Sequence, residues 1–520
     1  FGFMRYQRAA EGMFPSLALM VFAMGNLVVA GTKLEFFMAW ELMTLGSYFL
    51  VLRGKNGRFP ALSYMVFSSL GAYLLLAALA MIPNTFKGYP LLIQTAFIPM
   101  GEIAGLLALL AFLIKLGAAG LHYWLPGAYS EADDESSSIL SSVLSKAGVF
   151  GLMLVLLMFL GKISGNSISM VSLGWIGVAT AFFGALMAVF QEDAKRLLAY
   201  SSMSQMGYII AGFSLMSHLG WVSAVYLAIN HLLFKALIFM AMAGVFLRTG
   251  TRNMYEMGGL IKKMPIAFIS VLMGIIAVSG VPPLSGFGSK WFIYTSLIEQ
   301  GRVLQAALAF FSSAISFLYL YKLIHTVFLG QAKPQLSNVK EAPIWLIIPQ
   351  AIFIMAIMAI SVFPNLITKP LSLAVGDFIA KPEWLSWDGY NMVLASPWLK
   401  GNWNGNLVML VTMGVFMTPL IWLILVNAKA QKVKQFNIVY AAERPYKPWT
   451  THVAYNMFAH YDKALGFLVK PRITGFYNGV AEWTHSFAST LSRLYTGNGQ
   501  TYLLHIFLYM IFLYSLLGVN

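Results

Sequence analysis

Six ionisable side chains lie inside stretches of sequence apolar enough to cross a membrane: Glu41, Lys115, Lys146, His231, Lys235 and Lys290. A charge in the middle of a bilayer costs about 2.5–3.5 kcal/mol even on lenient insertion scales, and such residues usually mark an ion or proton path. Lysine suits proton transfer because its pKa falls on burial and rises beside a carboxylate. Histidine titrates near neutral pH. The set predicts a proton path, with a purely structural role for each charge as the alternative.

The spacing of these residues adds detail. His231 and Lys235 are four apart in NHLLFKALIFMAM, so they share one face of a helix. A seventh charge, Lys322, lies near the end of its apolar stretch. Its ammonium is therefore expected to reach the membrane interface.

Helix-breaking residues flank two of the lysines: Pro126, with Gly117 and Gly120, after Lys115, and Pro282 and Pro283, with Gly280, before Lys290. Proline lacks an N–H donor and interrupts a helix. Broken helices at membrane depth are tolerated where they line protein or a wet cavity. In transporters, paired broken helices in the two halves of a chain mark the ion path. The breaks predict two repeats, over residues 14–160 and 170–329, with ordinary proline kinks as the alternative.

The elements that must position these residues are membrane helices. The 520 residues are 59% hydrophobic and only 10% charged, whereas soluble domains carry about 25% charged residues. The ninth predicted span can be drawn as two half-helices. Apolar runs of about 20 residues, each enough to cross a bilayer, predict thirteen spans: 14–31, 34–52, 61–82, 103–125, 139–160, 170–190, 197–216, 220–247, 265–298, 303–329, 343–363, 405–427 and 502–518.

The net charge of +15 is explained by topology. With thirteen spans, 22 of the 34 Lys and Arg residues fall in loops on one side and seven on the other. This asymmetry follows the positive-inside rule. It supports the helix count, places the basic loops in the cytoplasm and argues against nucleic-acid binding.

Redox and nucleotide chemistry are not expected in this chain. It has no cysteine, and ordinary iron–sulfur clusters need thiolate ligands. No HExxH, GxGxxG or GxxxxGK[ST] motif occurs in a suitable context. No metal site is predicted.

Two polar loops are interpreted as helix-capping and orienting features: YSEADDESSS at 129–138 and QEDAKRLLAYSSMSQMG at 191–207. After residue 427 the chain becomes polar and basic. Apolar residues then recur at steps of three and four between Ile473 and Leu494, which predicts an amphipathic helix lying along the membrane interface. Such a helix could bridge neighbouring subunits or serve as a plain anchor.

Several of these motifs together resemble the antiporter-like membrane subunits of respiratory complex I and of Mrp antiporters. FFMAWELMTLGSYFL resembles the family's fifth helix, with its glutamate at Glu41. LIKLGAAGLHYWLPGAYSEA resembles the broken seventh helix with Lys115, and SSVLSKAGVFGL the eighth helix with Lys146. NHLLFKALIFMAMAGVFLRTG resembles the eleventh helix with His231 and Lys235. GVPPLSGFGSKWFIY resembles the broken twelfth helix and places Lys290 on its terminal Lys or Glu.

Within this family the chain is most similar to the large membrane subunit of formate hydrogenlyase and of other group 4 membrane-bound hydrogenases. FLRTGTRNMYEMGGLIKKMP, VPPLSGF and the tail carry that similarity. Two positions depart from the pattern. Asp133 follows Ala132 where the family often has Ala-Pro, and Lys290 stands where formate hydrogenlyase relatives tend to have Glu.

The resemblance implies an all-α polytopic membrane protein with two inverted five-helix repeats. About three helices are then expected before Phe1. The expected divisions are 1–160 (first repeat), 170–329 (second repeat), 343–427 (additional membrane helices), 428–501 (cytoplasmic-side linker and lateral amphipathic helix) and 502–518 (final membrane helix).

The implied function is proton or Na⁺ translocation as a non-redox subunit of a prokaryotic inner-membrane oxidoreductase complex. Glu41 and Lys115 would form a switchable ion pair, the middle residues would relay protons, and Lys290 would exchange with one bulk side. The chain itself would hold no cofactor, and iron–sulfur clusters and a nickel–iron site are expected in partner subunits. Further partners would be other membrane subunits, a peripheral redox arm and lipid, but no nucleic acid. A subunit of a stand-alone cation/proton antiporter and an ion-inert scaffold are the alternatives.

Overall fold

The computed structural model describes residues 12–82, 101–157, 165–329, 333–389, 391–395, 400–425, 458–469, 472–492 and 499–516. Helices make up most of these residues. Residues 428–457, 470–471 and 493–498 of the predicted linker and lateral helix lie outside the described residues, as do the ends of several predicted spans.

The described residues of the region predicted as the first repeat form seven helices. The first four pack in chain order, α1 on α2, α2 on α3 and α3 on α4, and α4 also packs on α7. A π-helical turn, Leu140–Leu144, joins α6 to α7. The helices are α1 (Met13–Val29), α2 (Lys33–Leu52), α3 (Arg58–Met81), α4 (Glu102–Leu116), α5 (Trp124–Glu131), α6 (Asp134–Ile139) and α7 (Ser145–Leu157).

Six helices lie in the region predicted as the second repeat. The longest, α10, packs against α9, α11 and α12 and is largely buried. Its start is fixed by Ser217, whose hydroxyl accepts from the Gly220 N–H, as expected of an N-cap. The helices are α8 (Ile168–Val189), α9 (Ala194–Ser214), α10 (His218–Thr249), α11 (Pro265–Ser279), α12 (Ser285–Glu299) and α13 (Val303–Ile324).

Both predicted helix breaks are present, and both begin with a glycine in the left-handed conformation. α4 ends at Gly117, with φ 67°, and α11 ends at Gly280, with φ 73°. Glycine adopts this conformation without a Cβ penalty, which makes it a common helix terminator. Pro282 and Pro283 lie within the second break. Pro126 lies in the first turn of α5, where its missing N–H costs no helical hydrogen bond.

The structure does not confirm the predicted number of thirteen membrane spans. Seven helical stretches of the described residues are long and apolar enough to cross a membrane, and three shorter apolar helices accompany them. α9 has sufficient length, but its serines and Gln205 make it too polar to join that set. The seven are Lys33–Leu52, Arg58–Met81, Asp134–Leu157, Ile168–Val189, His218–Thr249, Val303–Leu329 and Ile344–Val362.

The chain is predominantly helical, as predicted, but residues 385–403 depart from the all-α prediction. Between α15 (Asn365–Gly376) and α16 (Gly405–Leu425) the chain forms an antiparallel sheet of order β1-β2-β3. Strands β1 (Leu385–Asp388), β2 (Asn391–Ala395) and β3 (Lys400–Trp403) turn their alternate, apolar residues inward. This period of two, together with Gly389 (φ 57°) directly after β1, is a hairpin signal.

The sheet packs tightly on α12. Trp403 is 1% exposed, and its ring lies 5.2 Å from the Phe287 ring. Two glycines permit the approach. A Cβ added to Gly401 would lie 2.5 Å from the Trp291 ring, and one added to Gly288 would lie 3.3 Å from the Trp403 ring. α14 (Ile344–Val362) and α15 also pack on α10 in this region.

The chain divides into two compact units, Phe1–Leu465 and Gly466–Asn520. A short helix, α17 (Ala459–Val469), crosses this boundary. The second unit contains α18 (Arg472–Ser492) and α19 (Gly499–Leu516). The apolar residues of α18 are exposed at steps of three and four, from Phe476 to Leu491. The predicted amphipathic helix is therefore present, and its position on a membrane stays a prediction.

Candidate functional site

Lys115 lies in the last turn of α4, directly before the first break. It is 3% exposed, and its ammonium donates to the Tyr64 hydroxyl at 2.6 Å and to Thr44 Oγ1 at 3.3 Å. The Tyr64 hydroxyl lies 2.5 Å from Ser47 Oγ. The ammonium also lies over two rings, 4.8 Å from Tyr64 and 5.4 Å from Trp40. Hydroxyls and aromatic faces therefore surround this cation.

Glu41 does not pair with Lys115 in this structure. The ion pairs of the described residues include neither side chain, and Glu41 Oε1 is buried without a hydrogen-bond partner. Thr44, which does bind Lys115, lies three residues along α2, so both are on one helix face. The predicted ion pair is therefore open in this structure, and Lys115 binds Thr44, about one helical turn from Glu41 on α2.

Lys146 and His231 are brought together from separate helices. The Lys146 ammonium contacts His231 Nδ1 and donates to Ser145 Oγ at 3.2 Å. His231 is fully buried, and its second ring nitrogen, Nε2, has no hydrogen-bond partner among the described residues. The sequence predicted both residues but gave no indication of this contact.

Lys235 points to a different partner from His231, although both lie on α10. Its ammonium donates to the Leu198 carbonyl oxygen at 3.0 Å and contacts Ser201 Oγ on α9. It is fully buried. The predicted His231/Lys235 pair is thus divided, with one member facing α7 and the other facing α9.

Lys290 lies on α12, after the second break, and reaches back to the end of α11. Its ammonium donates to the carbonyl oxygens of Val278 and Ser279, at 2.9 and 3.2 Å, and to Ser313 Oγ at 3.0 Å. It also lies 4.7 Å from the Tyr208 ring. Terminal helical carbonyls attract cations, so the end of the broken helix forms the Lys290 site.

A polar stripe on α9 lies between Lys235 and Lys290, and its residues are not among the six predicted from the sequence. Ser201 contacts Lys235, and Tyr208 lies beneath Lys290. Gln205 lies between them on the same helix face and is fully buried. Within the part of the chain that the structure describes, neither of its amide atoms has a hydrogen-bond partner. Polar residues at steps of four and three inside a predicted span were the available signal.

Lys322 has a structural role. Its ammonium is 4% exposed and donates to the carbonyl oxygens of Val189 and Gln191, at 3.2 and 2.9 Å, at the end of α8. It caps that helix.

The acidic loop 129–138 does more than cap helices. In the second polar loop, 191–207, Asp193 caps α9, as predicted, by accepting hydrogen bonds from two backbone N–H groups. Burial raises the pKa of Asp133, although Arg53 and Lys195 act to lower it. The acids of loop 129–138 cross-link separate segments through the ion pairs Arg53–Asp133 (3.1 Å), Arg53–Glu135 (3.7 Å), Lys195–Asp134 (2.8 Å) and Arg252–Glu131 (3.2 Å).

The arrangement can move protons. Each buried cation touches hydroxyl, imidazole or carbonyl groups, and hydroxyl and imidazole groups can both accept and donate. The four path lysines form no ion pair within the described part of the chain. No three His, Asp or Glu side chains of the described residues gather as ligands for a metal ion.

Comparison with known proteins identifies relatives of the chain. The family profile described as "NADH:quinone oxidoreductase/Mrp antiporter, TM" matches residues 30–316, a range that contains all six predicted path residues. NADH-quinone oxidoreductase subunit N of Desulforudis audaxviator is 28% identical over 64% of this chain and 68% of its own length. F(420)H(2) dehydrogenase subunit M of Methanosarcina mazei is 30% identical over 50% and 55%, respectively. A Na(+)/H(+) antiporter subunit of Bacillus subtilis is 28% identical over 68% and 48%.

Two solved structures have a similar fold. A chain of the membrane-bound sulfane sulfur reductase, an archaeal respiratory membrane complex, aligns with a TM-score of 0.81 and 29% identity over 96% of this chain and 83% of its own. A chain of the Mrp complex from Dietzia sp. aligns with a TM-score of 0.64 and 20% identity, over 70% and 78%. The second likeness concerns the fold alone.

Proposed function

The chain belongs to the NADH:quinone oxidoreductase/Mrp antiporter transmembrane family, and we propose that it is an ion-translocating, antiporter-like subunit of a multisubunit respiratory membrane complex. The observation that carries the proposal is a series of buried cations without carboxylate partners in the described residues. Burying a charge without an ion-pair partner is costly, and ionisable residues kept inside a membrane despite this cost usually mark an ion or proton path. The proton path consists of Glu41, Lys115, Lys146, His231, Lys235 and Lys290.

The middle of the path is a relay between a lysine and a histidine. A proton passes from the Lys146 ammonium to His231 Nδ1, which the ammonium already contacts. The imidazole can then release a proton from Nε2, which has no partner. Lys235 lies four residues further along α10 and passes the proton through the α9 stripe to Lys290.

The first step is a switch at Lys115. In this structure the ammonium rests on Tyr64 and Thr44, and Glu41 is unpaired in the described residues. Moving the ammonium to the Glu41 carboxylate closes the ion pair and stabilises the charged lysine. Opening it again frees the lysine to pass its proton onward.

Redox chemistry belongs to partner subunits in this proposal. The chain has no cysteine, so iron–sulfur clusters, and a nickel–iron site in a hydrogenase, would be held by other chains. The likeness over 96% of this chain to part of an archaeal respiratory complex supports such an assembly. Formate hydrogenlyase and other group 4 hydrogenases are the narrower version of the same proposal. The basic loops would face the cytoplasm of a prokaryotic cell.

A second candidate is a subunit of a stand-alone cation/proton antiporter. It is favoured by the similarity to the Na(+)/H(+) antiporter protein of Bacillus subtilis. Purification from the native membrane distinguishes the two, because only the first candidate brings iron–sulfur subunits with it. An ion-inert scaffold is the third reading, and the following experiment tests it.

The test is proton translocation by the purified complex in proteoliposomes, with wild type beside Lys115→Met. Methionine keeps the apolar stem and removes the charge. Lys322→Met is the matched control, because Lys322 is equally buried but caps a helix. Translocation should be lost in Lys115→Met and kept in Lys322→Met, with both complexes assembled. Normal translocation by Lys115→Met would contradict the proposal and favour the ion-inert scaffold.

A further inference from the structure

Two buried hydroxyl groups bond the backbone of the two helix breaks, each from a helix outside the predicted repeat that contains the break. Thr180 lies in the middle of α8, and Ser361 lies near the end of α14. Both side chains are fully buried. The proton path described above uses neither of them.

The first break leaves a backbone N–H that the end of α4 does not satisfy. The N–H groups of Gly117 and Ala118 donate back to carbonyl oxygens of α4, which closes that helix. The next N–H, that of Ala119, donates instead to Thr180 Oγ1 at 2.9 Å. The Thr180 hydroxyl therefore fixes the chain four residues after Lys115.

The second break is held in the same way. Ser285 is the first residue of α12, and the N–H groups at a helix start have no acceptor within the helix. The Ser285 N–H donates to Ser361 Oγ at 2.8 Å, which fixes the chain five residues before Lys290. The Ser285 hydroxyl also donates to Asn230 Oδ1 on α10, so this break has a second hold.

Each of the two hydroxyls is oriented by its own helix. Thr180 Oγ1 donates to the Ile176 carbonyl oxygen, and Ser361 Oγ donates to the Ile357 carbonyl oxygen, both at 2.6 Å and both four residues back. This local bond uses the single hydrogen of the hydroxyl and leaves its lone pairs free to accept. Both hydroxyls are thus fixed acceptors for a backbone N–H of a break.

The position of each break determines what its lysine can reach. Irregular backbone inside a membrane is tolerated where groups such as serine and threonine hydroxyls satisfy the freed N–H groups. The Lys115 ammonium lies 2.6 Å from the Tyr64 hydroxyl, and the Lys290 ammonium lies 2.9 Å from the Val278 carbonyl oxygen. A shift of about 1 Å at either break would take these contacts out of hydrogen-bond range.

We propose that Thr180 and Ser361 are positioning residues, whose hydroxyls hold the two broken helices so that Lys115 and Lys290 meet their proton-transfer partners. The proposal rests on the proposed function and adds residues that act on the path from outside it. Both hydroxyls act through the backbone, and neither carries a transferred proton. Because α8 lies beyond the first predicted repeat and α14 beyond the second, each lysine is positioned by a later part of the chain.

The test is the rate of proton translocation per assembled complex in proteoliposomes, compared between paired variants. Thr180→Val removes the hydroxyl and keeps the side-chain shape, whereas Thr180→Ser keeps the hydroxyl and removes a methyl group. Thr326→Val is the matched control. Thr326 is also fully buried and donates to the carbonyl oxygen four residues back at 2.6 Å, but it holds neither break. Ser312→Ala is the control for Ser361→Ala, because Ser312 is fully buried and donates four residues back at 2.7 Å.

Thr180→Val should slow translocation about tenfold, which is the effect on an equilibrium of leaving one backbone N–H away from water without an acceptor. Thr180→Ser should restore most of the wild-type rate. Ser361→Ala should slow translocation less than Thr180→Val, because Asn230 still holds Ser285. A packing role predicts the opposite order, with Thr180→Ser slower than Thr180→Val. That order, or equal slowing by Thr326→Val, would overturn the inference.

Lys115→Met, measured beside these variants, separates the inference from the proposed function. Loss of translocation in Lys115→Met together with a normal rate in Thr180→Val overturns the positioning role alone. A normal rate in Lys115→Met overturns the proposed function and the positioning role together. Should Thr180→Val fail to assemble, Ser361→Ala decides the question against Ser312→Ala, and equal rates in those two variants overturn the inference.

Discussion

Tyr64→Phe is expected to change the partner that Lys115 prefers. The Tyr64 hydroxyl is the nearer of two described acceptors for the Lys115 ammonium, at 2.6 Å against 3.3 Å for Thr44. Phenylalanine keeps the ring that lies 4.8 Å from the ammonium. The substitution therefore removes one hydroxyl and leaves the surrounding apolar packing in place.

The size of the effect follows from that one hydrogen bond. A hydrogen bond to a charged group contributes about 1.5–3 kcal/mol, and about 1.4 kcal/mol corresponds to a factor of ten. The preference of Lys115 for its present position over the Glu41 carboxylate should therefore fall about 10- to 100-fold. Lys115 would remain longer in the closed ion pair, and proton translocation would slow.

Two measurements on the purified complex check this prediction. The first is the translocation rate, with Tyr129→Phe as the control, because Tyr129 is equally buried but its hydroxyl has no hydrogen-bond partner. The second is the infrared carboxyl band of Glu41, assigned by its loss in Glu41→Gln. Tyr64→Phe should slow translocation and shift this band towards the ionised carboxylate. An unchanged band, or equal slowing by Tyr129→Phe, would refute the switch.

Two further predictions concern the α9 stripe and the ion-pair loop. Gln205→Leu should slow translocation at least tenfold by removing the polar group between the Lys235 and Lys290 sites. Gln350→Leu is the control and should not slow it, because Gln350 is a buried glutamine on α14 that bonds within its own helix. Equal rates in the two variants would contradict the role of the stripe. Arg53→Ala should lower the stability of the complex by about 1–3 kcal/mol because the half-buried carboxylates of Asp133 and Glu135 lose their guanidinium partner. Asp133→Asn should cost little, and thermal unfolding measures both. Because burial raises the pKa of Asp133, its contribution to stability is present at low pH and is lost as pH rises through that pKa, so Asp133→Asn should weaken this pH dependence.

The sequence located the helices and the buried charges because both follow from local rules. An apolar run long enough to span a bilayer must satisfy its backbone as a helix, so α2, α3, α8, α10 and α13 lie close to their predicted ranges. A glycine in the left-handed conformation ends a helix by backbone geometry, and Gly117 and Gly280 do so at the two breaks. Lys115, His231, Lys235 and Lys290 lie where the predicted helices put them, inside the fold.

Partners across helices could not be derived in the same way. Whether Lys146 meets His231, or whether Glu41 reaches Lys115, depends on helix rotation and on a few side-chain torsions. The α9 stripe was within reach, because its polar residues follow the helical period. The sheet was missed because a search for apolar spans does not detect strands of four or five residues, although the period of two and Gly389 were present.

The interlock between the sheet and α12 has a consequence for how this family of sequences can diverge. Gly401 is adjacent to the Trp291 ring, and Gly288 is adjacent to the Trp403 ring. A larger residue at either glycine position needs a smaller one at the facing tryptophan. These four positions should therefore change in pairs among relatives that keep the sheet, while Lys290, anchored on the same helix, stays in register with the end of α11.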